Sequence, residues 1–183
     1  MKLWFWICCF LIFKSMRTEE RNFRLFIDQV NITHVDPEVY ESFDCKVFQF
    51  NNRSYLDSSH TFKYTVTNLK VHAVLDFWKL KSRQKMTLFD VQLDACYLLD
   101  NASKNKLFNI YIKNLRKHAN TKFKCPFQAN ISYEVQNMTM NEQDFPSFVP
   151  LGKFRSVIEY IIDQKLAARV IASGKIVSHP PDP

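Results

Sequence analysis

Five histidines stand at positions 34, 60, 72, 118 and 179, and no two fall at the i, i+4 spacing that aims a pair of imidazoles from one helical face at a metal. None joins a close pair of cysteines, so no metal site is expected. The carboxylates at Asp28, Asp36, Asp44, Asp57, Asp76, Asp90, Asp94, Asp144, Glu159 and Asp163 are scattered, and no pair is singled out as a general acid and its base. The chain contains no Gly-x-Ser-x-Gly elbow, and Cys96 and Cys125 lack the surroundings of a thiol nucleophile. Gly152 and Gly174 are the only glycines, too few for the phosphate cradles of nucleotide-binding loops. These absences predict no catalytic residues and no cofactor; a lysozyme-like hydrolase would need two convergent carboxylates in a cleft, and the pattern offers none.

The chain is rich instead in apolar bulk: 17 Phe, 7 Tyr and 3 Trp in 183 residues, 46% hydrophobic overall. That is ample for one domain with a packed core. Phe62, Tyr64 and Val66 alternate with polar neighbours; after a phase change at Asn68 the alternation resumes through Leu69, Val71, Ala73, Leu75 and Phe77. Period two is the signature of a half-buried strand. It recurs through Phe154, Ser156, Ile158, Tyr160 and Ile162, then crosses Asp163-Gln164-Lys165 into an apolar stretch from Leu166 to Ala172, which predicts a hairpin. Shorter strands are expected near residues 22–31, 45–51, 86–93 and 130–135. Leu107, Phe108, Tyr111, Ile112, Leu115 and Ala119 share one arc at helical spacing, opposite Asn109, Lys113, Arg116 and Lys117, which predicts one amphipathic helix with a basic outer face. A helical turn after Asp36-Pro37 would carry Val39, Tyr40 and Phe43 onto the core.

The N-terminus places Lys2 before eleven apolar residues, Leu3 to Phe13, then Lys14 and Ser15. This reads as a signal peptide over residues 1–16, its apolar run far short of the ~20 residues that span a bilayer. Five N-glycosylation acceptors, at Asn31, Asn52, Asn101, Asn130 and Asn137, point independently to export and are expected on the surface. Cys8 and Cys9 leave with the signal, and Cys45, Cys96 and Cys125 remain; an oxidising compartment would pair two of them, and three pairings are open. The formal charge of +7 falls by two with the loss of Lys2 and Lys14. No basic run and no nucleic-acid compartment accompany it, so a nucleic-acid partner is excluded; a modest attraction to anionic head groups or acidic glycans remains.

Three stretches carry a resemblance: Asp94-Ala95-Cys96-Tyr97-Leu98-Leu99, Lys124-Cys125-Pro126-Phe127, and the run from Phe145-Pro146 through Val149-Pro150-Leu151-Gly152-Lys153-Phe154-Arg155. In this order and spacing they resemble an insect-specific secreted family of unknown function, distantly similar to the ML lipid-recognition domains, some of whose members resemble chemosensory proteins. The resemblance implies a mostly β, immunoglobulin-like, ML-type β-sandwich with one amphipathic helix and a C-terminal β-hairpin. With no repeat, low-complexity tract or linker before Ser178-His179-Pro180-Pro181-Asp182-Pro183, the chain itself reads as a single domain over residues 21–177 followed by a disordered tail at 178–183. The resemblance further implies a Cys96–Cys125 disulfide around the helix. Family members often carry a second cysteine where this chain has Ile32, which leaves Cys45 without that partner.

The function expected is a secreted, extracellular, non-catalytic protein that holds a lipid or other hydrophobic small molecule between its sheets, as a carrier or presenter. Phe62, Tyr64, Val71, Leu75, Phe77, Phe154, Ile158 and Tyr160 are the candidate lining residues. An extracellular receptor is a further partner that this reading allows. The rival is an extracellular interaction glycoprotein whose core is filled by its own side chains.

Overall fold

The computed structural model describes residues 22–101, 106–146 and 149–178, with residues 106–108 as backbone only. The expected signal peptide and residues 179–183 of the expected tail lie outside them. Ser178, the first residue of that tail, closes the last strand.

Among the described residues, eight strands form two antiparallel sheets: β1 (Phe23–Val35), β2 (Tyr40–Phe50), β3 (Arg53–Phe62), β4 (Leu69–Lys79), β5 (Lys85–Asp94), β6 (Ser132–Met138), β7 (Gly152–Ile162) and β8 (Lys165–Ser178). Two helices, α1 (Ala95–Asn101) and α2 (Lys106–His118), lie between β5 and β6, one more than the alternation of apolar residues predicts. The five-stranded sheet runs β1-β8-β7-β4-β5 and the three-stranded sheet β2-β3-β6, so the fold is a β-sandwich.

Local chemistry fixes the hairpins. The two-residue loops Asn51-Asn52 and Asp163-Gln164 have positive φ throughout (46° and 57°, 48° and 67°), the backbone that matches the right-handed twist of flanking strands. The expected C-terminal hairpin is therefore β7–β8, turning where the sequence places it. The turn after Asp36 forms as well, with Val39 N and Tyr40 N donating to the Asp36 carbonyl and Glu38 N to its side chain.

Register assigns the faces. Val71, Ala73, Leu75 and Phe77 of β4 stand opposite Tyr160, Ile158, Ser156 and Phe154 of β7, which in turn stand opposite Ala168, Val170, Ala172 and Gly174 of β8. Residues opposite each other share a face, and this one turns toward the second sheet. Along β1 the apolar positions 25, 27, 30, 32 and 35 break strict alternation; bulges between Ile27 and Gln29 and between Ile32 and His34 restore the phase and keep all five on that inner face.

Both ends of the sandwich are plugged. At one, Val39, Tyr40, Phe62, Val66, Leu69, Phe127, Tyr133 and Ile162 form a buried cluster that Ile112 of α2 joins. At the other, Phe23, Phe77 and Ile176 are buried under Phe145, Val149 and Leu151 of the β6–β7 connection. The two glycines belong to this second plug. A Cβ on Gly152 would stand 2.6 Å from Cζ of Phe77, and one on Gly174 2.6 Å from Cζ of Phe154, so the rings lie flat only over bare backbone. Emptying either plug would leave a large void: truncating a buried Phe such as Phe62 to Ala costs about 3–5 kcal/mol.

Candidate ligand-binding site

Between the plugs the inner face changes character. Ala73, Leu75, Ser156, Ile158 and Ala172 of the large sheet are only half-buried although they point at the other sheet. So are Cys45, Val47, Leu56 and Ser58, which face them from β2 and β3. A filled sandwich buries its central layer most deeply. Here the ends are shut while the middle keeps accessible apolar surface, and the side chains at the centre of the large sheet, Ala73, Ser156 and Ala172, are small. Facing side chains that still keep accessible surface make this layer the candidate site, with Val170 and Val135 of the same face buried beside them.

Five of the eight expected lining residues, Val71, Leu75, Phe154, Ile158 and Tyr160, lie along this inner face and are half-buried. Phe62 and Phe77 point inward too, but at 1% exposure each is consumed by a plug. Tyr64 is corrected outright. The strand expected over 62–67 ends at Phe62, the backbone turns where Lys63 N donates to the Val39 carbonyl, and the Tyr64 ring is 40% exposed.

The candidate site has a polar corner. Tyr111 of α2 and Tyr160 lie deep in the molecule, where burial pushes the Tyr111 phenol up to about 12 and the Tyr160 phenol well above its usual value, while both rings keep accessible surface. Cys45 stands with them, its thiol raised to about 11 by burial and then by Asp44 and Asp57. His60 closes this side within a group of rings, 17° from parallel over Tyr133 with centroids 5.5 Å apart and edge-on to Phe62 at 5.1 Å. Burial pushes the His60 imidazole down to about 4, so it is neutral at physiological pH. Asn114 of α2 is buried, and its Nδ2 has no hydrogen-bond partner.

The helical corner is held by covalent and polar ties. Cys96 of α1 and Cys125 form a disulfide, Cα atoms 5.6 Å apart, that encloses α2 in the loop between them. Arg116 of α2 donates to the Leu99 carbonyl of α1, and Asn120 N donates to the Glu134 carbonyl of β6. Cys45 is a free cysteine.

Sequence reasoning left Cys45, Val47, Leu56, Ala73, Tyr111 and Ser156 out of the lining. Ala73, Ser156 and Tyr111 sit in the periodic series that located β4, β7 and α2, so their faces were readable once the inner side was known. Leu56 was hidden because no strand was expected over 53–62. The outer face of the large sheet carries charge instead: His72 bonds Asp90 at 2.7 Å and Glu159 at 2.8 Å, and Glu159 accepts from Arg169 at 2.7 Å. Among the described residues no group of three or more His, Cys, Asp or Glu is placed to hold a metal ion, and no helix is long and apolar enough to cross a membrane.

The expected glycosylation acceptors Asn31, Asn52, Asn130 and Asn137 are exposed. Asn101 is half-buried and donates from Nδ2 to the Tyr97 carbonyl. Elsewhere, at the β1 edge, a concavity of about 420 Å3 opens between Phe26, Asp28, Gln49, Phe50 and Lys175, away from the inner face.

Residues 71–156 match the family described as "Protein of unknown function (DUF1091)". That matched segment is a little under half of the chain. It runs from Val71 in β4 through both helices and β6 into β7, and it holds both disulfide cysteines and all three stretches that carried the sequence resemblance. No curated protein matches the chain. Among solved structures, the crystal structure of a Niemann-Pick type C2 protein from Japanese carpenter ant aligns with 82% of this chain and 91% of that one, at 14% identity and a TM-score of 0.31.

Proposed function

We propose that this protein is a secreted, non-catalytic glycoprotein that holds a lipid or similar hydrophobic molecule in the gap between its sheets. The signal peptide over residues 1–16 and the five acceptor asparagines support export, with residues 21–177 as the mature domain. The observation that carries the reading is the half-buried central layer of Ala73, Leu75, Ser156 and Ile158 between two sealed ends. Apolar surface left wet inside a sandwich is costly, at about 25 cal/mol per Å2, and an apolar guest removes that cost. Tyr111 and Tyr160 offer a polar end of the guest their hydroxyls. Asn114, one turn along α2 from Tyr111, offers it an unpaired donor.

Native mass spectrometry of the protein secreted from a eukaryotic host tests this. Adducts of lipid mass that organic extraction removes, together with saturable uptake of a fluorescent fatty acid by the extracted protein, are expected. A ligand-free mass with no uptake overturns the proposal and leaves a glycoprotein with a self-filled core.

A further inference from the structure

The β4–β5 hairpin combines positive charge with exposed apolar side chains. From Phe77 to Phe89 the chain carries Lys79, Lys81, Arg83 and Lys85 and no acidic residue. Interleaved with them, Leu80 is 66%, Leu88 52% and Met86 37% exposed. Lys85 pairs with Asp76; Lys79, Lys81 and Arg83 form no ion pair among the described residues. Lysines on an edge strand can serve to discourage edge-to-edge pairing. An edge protected in that way gains nothing from three large apolar side chains held in water beside them.

We propose that this hairpin tip docks the protein on an anionic lipid bilayer, with Leu80, Met86 and Leu88 entering the head-group boundary and Lys79, Lys81 and Arg83 meeting lipid phosphates and carboxylates. The chemistry is that of any basic, apolar interfacial segment: apolar side chains partition below the head groups while long basic side chains keep their charge among them. Position in the fold leaves the tip unobstructed. Trp78, just before the tip, lies in one cross-strand row with Lys153, Lys175 and Phe26, so the β2–β3 turn, which meets Phe26, is at the same end of the sandwich. That turn carries the Asn52 acceptor, but it borders β1, at the opposite edge of the large sheet from β5. Four strand spacings separate those edges, roughly 19 Å, and the stretch 77–89 contains no acceptor of its own.

Flotation with phosphatidylcholine vesicles, with and without phosphatidylserine, tests the proposal on the whole secreted protein. Binding is expected only with phosphatidylserine. It should weaken at least ten-fold in Lys81→Glu/Arg83→Glu and also at least ten-fold in Leu80→Ser/Leu88→Ser, whose thermal midpoints should match the parent because these side chains are exposed. Equal binding to both vesicle types, or parental binding by the leucine variant, overturns the proposal. So does binding to soluble heparin with none to vesicles, which would make the tip a site for acidic glycans. Fatty-acid uptake in the same variants should be unchanged, so the hairpin and the gap between the sheets stand or fall separately.

Discussion

His60 lies nearly parallel to Tyr133 across the β3–β6 pairing, their ring centroids 5.5 Å apart, with Phe43, Phe62 and Phe123 around it. An imidazole in such a setting is stable only when uncharged. Its folded value of about 4 lies below the ordinary 6.5, so between these limits the unfolded chain binds the extra proton and folding weakens as pH falls. The full swing is on the order of 3 kcal/mol. Urea unfolding of His60→Leu across pH 4 to 8 should show a much shallower loss below pH 6.5 than the parent. An unchanged slope would place the acid sensitivity elsewhere.

The proposed gap predicts how a larger side chain at its centre behaves. Ser156 stands between Leu75 and Ala172 on the inner face. In a tightly packed core, Ser156→Leu would overpack and cost about 1–3 kcal/mol. In an open gap it costs less than about 1 kcal/mol, because the added methyl groups occupy space already there. The variant should therefore keep its urea midpoint and lose several-fold in fatty-acid uptake. Destabilisation without change in uptake would mean that the guest, if any, sits somewhere else.

How much of this was readable from the chain depends on how cleanly each strand separates its faces. β4 and β7 alternate apolar with polar residues over most of their length, β8 opens as an apolar run, and Asp163-Gln164 supplies the positive φ of a tight turn, so the hairpin and the faces of β4 and β7 were legible. β3 was not: Ser54, Ser58 and His60 occupy inward positions while Tyr55 stacks outside on Phe48, which inverts the usual code. Without β3, the alternation at Phe62, Tyr64 and Val66 passed for a strand of its own, although Val66 makes a single bridge to Phe127. The lining set suffered in the same way. Phe62 and Phe77 belong to the alternating series, yet both are buried in the clusters that close the ends of this sandwich, whereas the small Ala73 and Ser156 between the ends are half-buried. Only cross-strand register distinguishes those roles, since slipping one residue exchanges the faces.

The cysteines separate a covalent tie from an inert thiol. A Cys96→Ser/Cys125→Ser protein should lose about 3–4 kcal/mol on the chain-entropy estimate for a loop of this length, measured as urea stability against the parent. In the parent chain starting at Asn22, thiol titration in denaturant should count one group, Cys45. Under native conditions at pH 7 that group should react far more slowly than glutathione, because burial raises its thiol to about 11 and leaves little thiolate. Three reactive thiols in denaturant would mean that the bridge does not form.

The outer face makes a pH prediction opposite in sign to that of His60. His72 is raised above its ordinary 6.5, first by its hydrogen bond to Glu159 and then by that to Asp90; Glu159 is lowered below its ordinary 4.5, chiefly by His72 and, less strongly, by Arg169. The raised histidine contributes stability that is complete below pH 6.5 and fades as pH climbs through its folded value. The lowered glutamate contributes stability that is complete above pH 4.5 and fades in acid. The ladder from Asp90 to Arg169 is therefore strongest between pH 4.5 and 6.5, where the protonation of His60 in the unfolded chain is already eroding the fold. His72→Gln should cost most near pH 5.5 and little at pH 9, whereas His60→Leu should help most in acid. Measuring both variants over one pH series checks the pair: parallel curves would show that neither imidazole controls the profile, and curves that diverge below pH 6.5 would assign each its half.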